Sequence, residues 1–109
     1  MIRVKLFHNR ADELQGFEMK GHADSAPYGE DLVCAAASTL AIVIENSLCV
    51  QGVSYNAEMD EGYVRVMVTE NEDERIALIA QSVLKTMEVG INALVQIYPD
   101  YIAANSVLL

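Results

Sequence analysis

Residues 2–9, IRVKLFHN, alternate, with Ile2, Val4 and Leu6 on one side and Arg3 and Lys5 on the other. A period of two describes a strand with one buried face. The alternation returns over 15–22, QGFEMKGH, where Phe17 and Met19 point inward and Glu18 and Lys20 outward. ADELQG between the two runs reads as a turn. The chain therefore opens as a hairpin whose apolar face must be covered by later segments. By the same parity His22 falls at the end of the second strand, on its polar side.

The covering segments are helical. Pro27 and Gly29 mark residues 23–30 as a loop. Asp31 is placed to N-cap a helix over 32–50. This helix is apolar on nearly every side, so most of it is expected to be buried against the sheet or a second subunit, and Ala35, Ala36 and Ala37 permit close approach of another backbone. A turn region with a short extended piece follows, and then a β-branched strand over 62–70, GYVRVMVTE. The acidic run ENEDE suits the first turn of a helix, where the macrodipole favours negative charge. Ile76, Ile79, Val83, Met87, Ile91 and Leu94 recur at spacings of three and four, which gives an amphipathic helix over 73–97 that Pro99 stops. YIAANSVLL reads either as a last strand or as a trailing end. The expected architecture is a two-layer α+β sandwich, a small, mostly antiparallel sheet packed against two helices, in a single domain over 1–109.

The net charge of −9 argues against a direct nucleic-acid binder, which needs a basic face to displace counterions. It leaves room for a basic protein partner, which an acidic surface attracts. The start of the chain has no signal-peptide pattern. The longest uncharged stretch, Leu32 to Ile44, is too short to span a bilayer. A cytoplasmic protein with no membrane partner is expected, with its two cysteines reduced. If Cys34 and Cys49 share one helix, fifteen residues separate them by roughly 22 Å, beyond the reach of about 7 Å that a disulfide allows. No spacing of Cys or His points to a metal, and no cofactor is expected.

Chemistry concentrates in GHADSAPYGEDLVCAAAS, residues 21–38. Cys34 lies in the first turn of a predicted helix, where unpaired N–H groups and the positive dipole end favour a thiolate and can hold an oxyanion. His22, across the loop, is placed to take the thiol proton. The plain alternative is a small buried cysteine and a surface histidine. His8 competes as the base from strand one. Cys49 sits near the helix end, where the dipole disfavours a thiolate, and reads as packing. Asp31 either caps the helix or orients His22. Ser38, one turn after Cys34, either hydrogen-bonds the site or back-bonds its helix. Gly21 lets the chain turn after the strand, and the loop with Tyr28 and Gly29 is suited to closing over an extended peptide.

GHA at 21–23 and YGEDLVCAAAS at 28–38 resemble the signature of the Prp family, the ribosomal-processing cysteine proteases of bacteria. Gly29, Asp31, Val33, Cys34, Ala35, Ala36 and Ser38 match the family's G-x-D-x-V-C-A-A-x-S. Ala37 departs from it, standing where the family often has Val, which changes packing and not chemistry. The resemblance runs the length of the chain. It implies a cysteine endopeptidase with Cys34 as nucleophile and His22 as base. It also implies a homodimer, and a substrate that is a large-subunit ribosomal protein losing its N-terminal extension after a hydrophobic segment ending in aromatic residues. The loop between the dyad residues would order when substrate arrives. A second reading is a non-catalytic ribosome-associated binding or assembly factor that holds the same tail. A third, a thiol redox sensor, lacks a resolving cysteine within reach.

Overall fold

The computed structural model describes residues 1–27 and 30–109. Strands β1 (Ile2–His8) and β2 (Leu14–Lys20) form the opening hairpin, with Val4 opposite Met19 and Leu6 opposite Phe17. They are followed by α1 (Leu32–Val50), β3 (Tyr55–Asp60), β4 (Tyr63–Val68), α2 (Glu74–Ile97) and β5 (Ile102–Leu108). The five strands make one sheet in the order β3-β4-β2-β1-β5. Every pairing is antiparallel except β1 with β5, which run parallel from Ile2↔Ile102 to His8↔Leu108. The end of the chain is thus a strand and not a trailing end. Ile102 is buried, and the Ile2 amide donates to the Tyr101 carbonyl at 2.9 Å. The piece after α1 extends into six residues of β3, an exposed strand at the edge of the sheet.

One face of the sheet carries the core. Ile2, Val4, Leu6, Phe17, Met19, Val66 and Ile102 meet Val33, Ala37, Ala41, Ile44 and Leu48 of α1 and Ala80, Val83, Leu84, Met87 and Ile91 of α2. The apolar stripe on each helix recurs at the three-and-four spacing that turns one side toward a sheet. Among the described residues both helices lie on this face, leaving the other without one. There Phe7 is buried beneath Arg65, whose guanidinium lies 5.1 Å from the ring centroid and is held by Glu18 at 3.0 Å.

The helix expected over 32–50 is α1, Leu32–Val50. Within one copy of the chain its apolarity is not met all round: Leu32, Ile42, Val43 and Val50 are exposed, because a two-layer fold covers a helix on one side only. By length and composition both α1 and α2 could cross a membrane, but each lays a stripe on the sheet as a core helix does.

Candidate active site

The site forms where β2 gives way to α1. At Gly21 the chain turns with φ +99°, and a Cβ there would stand 2.6 Å from the Met1 carbonyl oxygen. The Gly21 amide donates to the Gly62 carbonyl at 2.9 Å, tying the strand end to the β3–β4 turn. His22 follows, exposed, and Ala23 drops into the core as an anchor. The loop is then clasped to the helix. The Ser25 amide and hydroxyl donate to the two carboxylate oxygens of Asp31 at 2.9 and 2.6 Å, and the Cys34 amide donates to Asp31 Oδ1 at 2.9 Å.

Asp31 is therefore the N-cap of α1, and its carboxylate is taken up by Ser25 and Cys34. The alternative, Asp31 orienting His22, is not what this geometry shows. The Ser25 hydroxyl, with help from the Cys34 and Ser25 amides, holds the Asp31 carboxyl well below the usual carboxylate range. The cap is consequently ionised throughout the neutral and mildly acid range.

Cys34 is a free, half-buried thiol in the first turn of α1, and the Ala23 amide donates to its sulfur at 3.2 Å. His22 and Cys34 together line two adjoining hollows. One, of about 320 Å³, also takes in Ile2, Met19, Ser38 and the β3–β4 turn. The other, of about 500 Å³, takes in Asp24, Ala26, Asp31 and Ala35. Ser38, exposed on α1, and Glu61, on the turn, border both. His22 and Cys34 thus stand between the two hollows and border both. No hydrogen bond joins them among the described residues, a looseness common in sites without substrate. Tyr28 and Gly29, the expected substrate loop, lie outside the described residues.

The remaining candidates fall elsewhere. His8 ends β1 at the far side of the sheet, roughly 20 Å from Ile2 at the rise of a strand. Its Nδ1 is 3.4 Å from Asp12 and its Nε2 3.7 Å from Glu88, so it is no partner for Cys34. The hollow beside it, about 410 Å³, holds no cysteine. Cys49 is free and exposed at the end of α1, which corrects its reading as a packing residue. Nearby, burial and then a 3.1 Å hydrogen bond to Glu45 push the Tyr55 phenol up to about 12. Among the described residues no three His, Cys, Asp or Glu side chains gather as metal ligands would.

Three features escaped the sequence reading: the Ser25 clasp, the Ala23 amide on the sulfur, and the wall formed by the turn from Asp60 to Tyr63. A glycine after Glu61 marks the turn, but nothing local places that turn beside His22.

The chain is similar to known proteins in sequence and in fold. The family described as Cysteine protease Prp matches residues 1–103. The ribosomal processing cysteine protease Prp of Staphylococcus aureus is 28% identical over 110 aligned residues, covering 96% of this chain and 98% of that protein. A crystal structure of the S. aureus protease with a covalently linked product peptide superposes with a TM-score of 0.88 at 26% identity, covering 98% of this chain and all of that one. A second, with a substrate peptide, gives 0.82 at 25% identity over the same shares.

Proposed function

The chain belongs to the Prp family of cysteine proteases, hydrolases of the ribosomal-processing class, and from that premise we propose that it cleaves a large-subunit ribosomal protein behind an N-terminal extension, with Cys34 as nucleophile and His22 as base. The observation that carries this reading is the shared cleft: the one thiol at a helix N-terminus and the one histidine near it border the same two hollows. An extended peptide lying across the divide fills one hollow with residues before the scissile bond and the other with residues after it.

In the reaction His22 takes the Cys34 proton and the sulfur attacks the scissile carbonyl carbon. The negative charge passes to the carbonyl oxygen. The Cys34 amide is already engaged by Asp31, so it is not the donor for that oxygen. The Ala23 amide, 3.2 Å from the sulfur, is the donor placed to follow the charge from sulfur to oxygen. Collapse breaks the C–N bond, and His22 returns its proton to the leaving amine. The amine that leaves is the new N-terminus of the shortened protein. Water then attacks the thioester, giving up a proton to His22, the extension departs as a free acid, and His22 returns that proton to the sulfur.

The cleft also favours a cationic substrate. Asp24, Asp31, Asp60 and Glu61 border it, and no Lys or Arg does among the described lining residues. A net charge of −9 extends the same bias over the surface and speeds encounter with a basic ribosomal protein. A homodimer is the assembly the family resemblance implies. The exposed Ile42 and Val43 of α1 and Leu78 and Val89 of α2 offer apolar surface to a second copy, and light scattering on the purified protein reads the state directly.

The deciding experiment is cleavage of the ribosomal protein from the same cell, carrying its N-terminal extension, followed by the mass of the product. Wild type is expected to shorten it. Cys34→Ala is expected to lower the rate by about 10,000-fold or more, and His22→Ala by about 100- to 10,000-fold. Binding of the tail without cleavage by wild type would move the reading to a holding factor.

A further inference from the structure

The β3–β4 turn does more than close the end of a hairpin. Its Gly62 has φ +67°, a left-handed conformation. Such a position does not by itself demand glycine, because short polar residues tolerate it. This chain shows as much, placing Asp12 at φ 60° and Asp24 at φ 56°. What sets Gly62 apart is the space beside it. A Cβ there would stand 2.8 Å from His22 Nε2, 3.2 Å from Cε1 and 3.4 Å from Cδ2. The bare Cα of Gly62 is thus seated against the imidazole. The Gly62 carbonyl meanwhile accepts the amide of Gly21, the residue before His22, at 2.9 Å. One residue therefore fixes both the backbone that carries the ring and the ring's edge.

We propose that Gly62 is a positioning residue for the base: the β3–β4 turn, through its bare Cα and its carbonyl, sets the direction in which the His22 imidazole faces Cys34. The inference rests on His22 being the base. A Cβ at 62 meets the His22 ring before anything else, so although the turn also walls the smaller hollow, a side chain there acts first on the chemical step. Displacement of a reacting group by about 1 Å costs on the order of 100-fold.

The test uses Gly62→Asn, which keeps the left-handed turn and adds a Cβ. Its control is Gly52→Asn, since Gly52 has φ +79° and open space around it. Peptide cleavage and thermal melting are measured for both, beside His22→Ala. The expected result is a kcat about 100-fold lower for Gly62→Asn, a larger change than that in KM, and a Gly52→Asn protein that works as wild type. Full kcat in Gly62→Asn, with His22→Ala inactive, overturns the positioning role and spares the base. Full activity in His22→Ala overturns the base and this role with it. Should Gly62→Asn fail to fold, wild type still decides. Nuclear Overhauser contacts between the Gly62 α-protons and the His22 ring are expected, and their absence overturns the proposal.

Discussion

The two ends of α1 each carry a cysteine, and the fold treats them in opposite ways. Cys34, at the start, is half-buried, receives an amide hydrogen bond on its sulfur from Ala23, and sits above a capped first turn. Cys49, at the end, is exposed and lies where backbone carbonyls point outward. Its neighbours are the Glu45 carboxylate and the Tyr55 phenol. The contrast separates exposure from reactivity. Access alone would favour Cys49, whereas the amide held on its sulfur and the positive end of the helix dipole place Cys34 where negative charge developing during reaction is stabilised.

The largest effect expected from this contrast is in alkylation. With iodoacetamide at pH 7.5, Cys34 is expected to react faster than Cys49 by about tenfold, the ratio that a combined difference of about 1.4 kcal/mol between the helix start and the helix end supports. Peptide mapping by mass spectrometry reads both sites in one sample. Equal rates, or a faster Cys49, would mean that exposure and not the helix start governs the thiols, and the nucleophile assignment would lose its electrostatic basis.

A smaller effect separates the helix starts from the helix ends. The Asp31 carboxyl is held below its ordinary value of 3.8 by the hydrogen bonds of Ser25 and Cys34. A group whose folded pKa is depressed contributes stability above its unfolded value and loses it as pH falls through the folded one. Asp31→Ala is therefore expected to melt below wild type at pH 7, with the gap narrowing as pH drops below about 4. Melting curves at pH 7, 4 and 2.5 check this. A gap that stays constant would show that the cap contributes through packing of the loop and not through its charge.

How much of this was readable in advance follows from the range over which each residue acts. Val4, Leu6, Phe17 and Met19 declare their face through a period of two, and the register Val4↔Met19 and Leu6↔Phe17 follows from the hairpin. Asp31 declares itself as a cap because its partner, the Cys34 amide, is three residues away. β5 carries no such sign, since its pairing with β1 depends on how α2 returns the chain to the sheet. The exposure of Ile42 and Val43 was equally hidden: the sequence of α1 is apolar on sides that the two layers leave open. In the site, His22 and Cys34 stand out through the motif around them. Ser25 and Gly62 act through contacts that only the start of α1 and the β3–β4 turn bring to them.

The smallest expected effect is the most exacting check of the contrast. Cys49→Ser removes a thiol that lines neither hollow of the cleft and sits fifteen residues beyond the nucleophile on a rigid helix. Surface substitutions of this kind change stability by about 0.5 kcal/mol or less. Cleavage by Cys49→Ser should match wild type in both kcat and KM, and its melting temperature should hold. The neighbouring Tyr55, whose phenol is held up at about 12 by burial and by Glu45, stays neutral through the assay range, so no new charge appears when the thiol is gone. A loss of activity in Cys49→Ser would be informative out of proportion to its size. It would mean that the far end of α1 is sensed at the cleft, either along the helix or through a second copy of the chain covering it, and the division of α1 into a reactive start and an inert end would no longer stand.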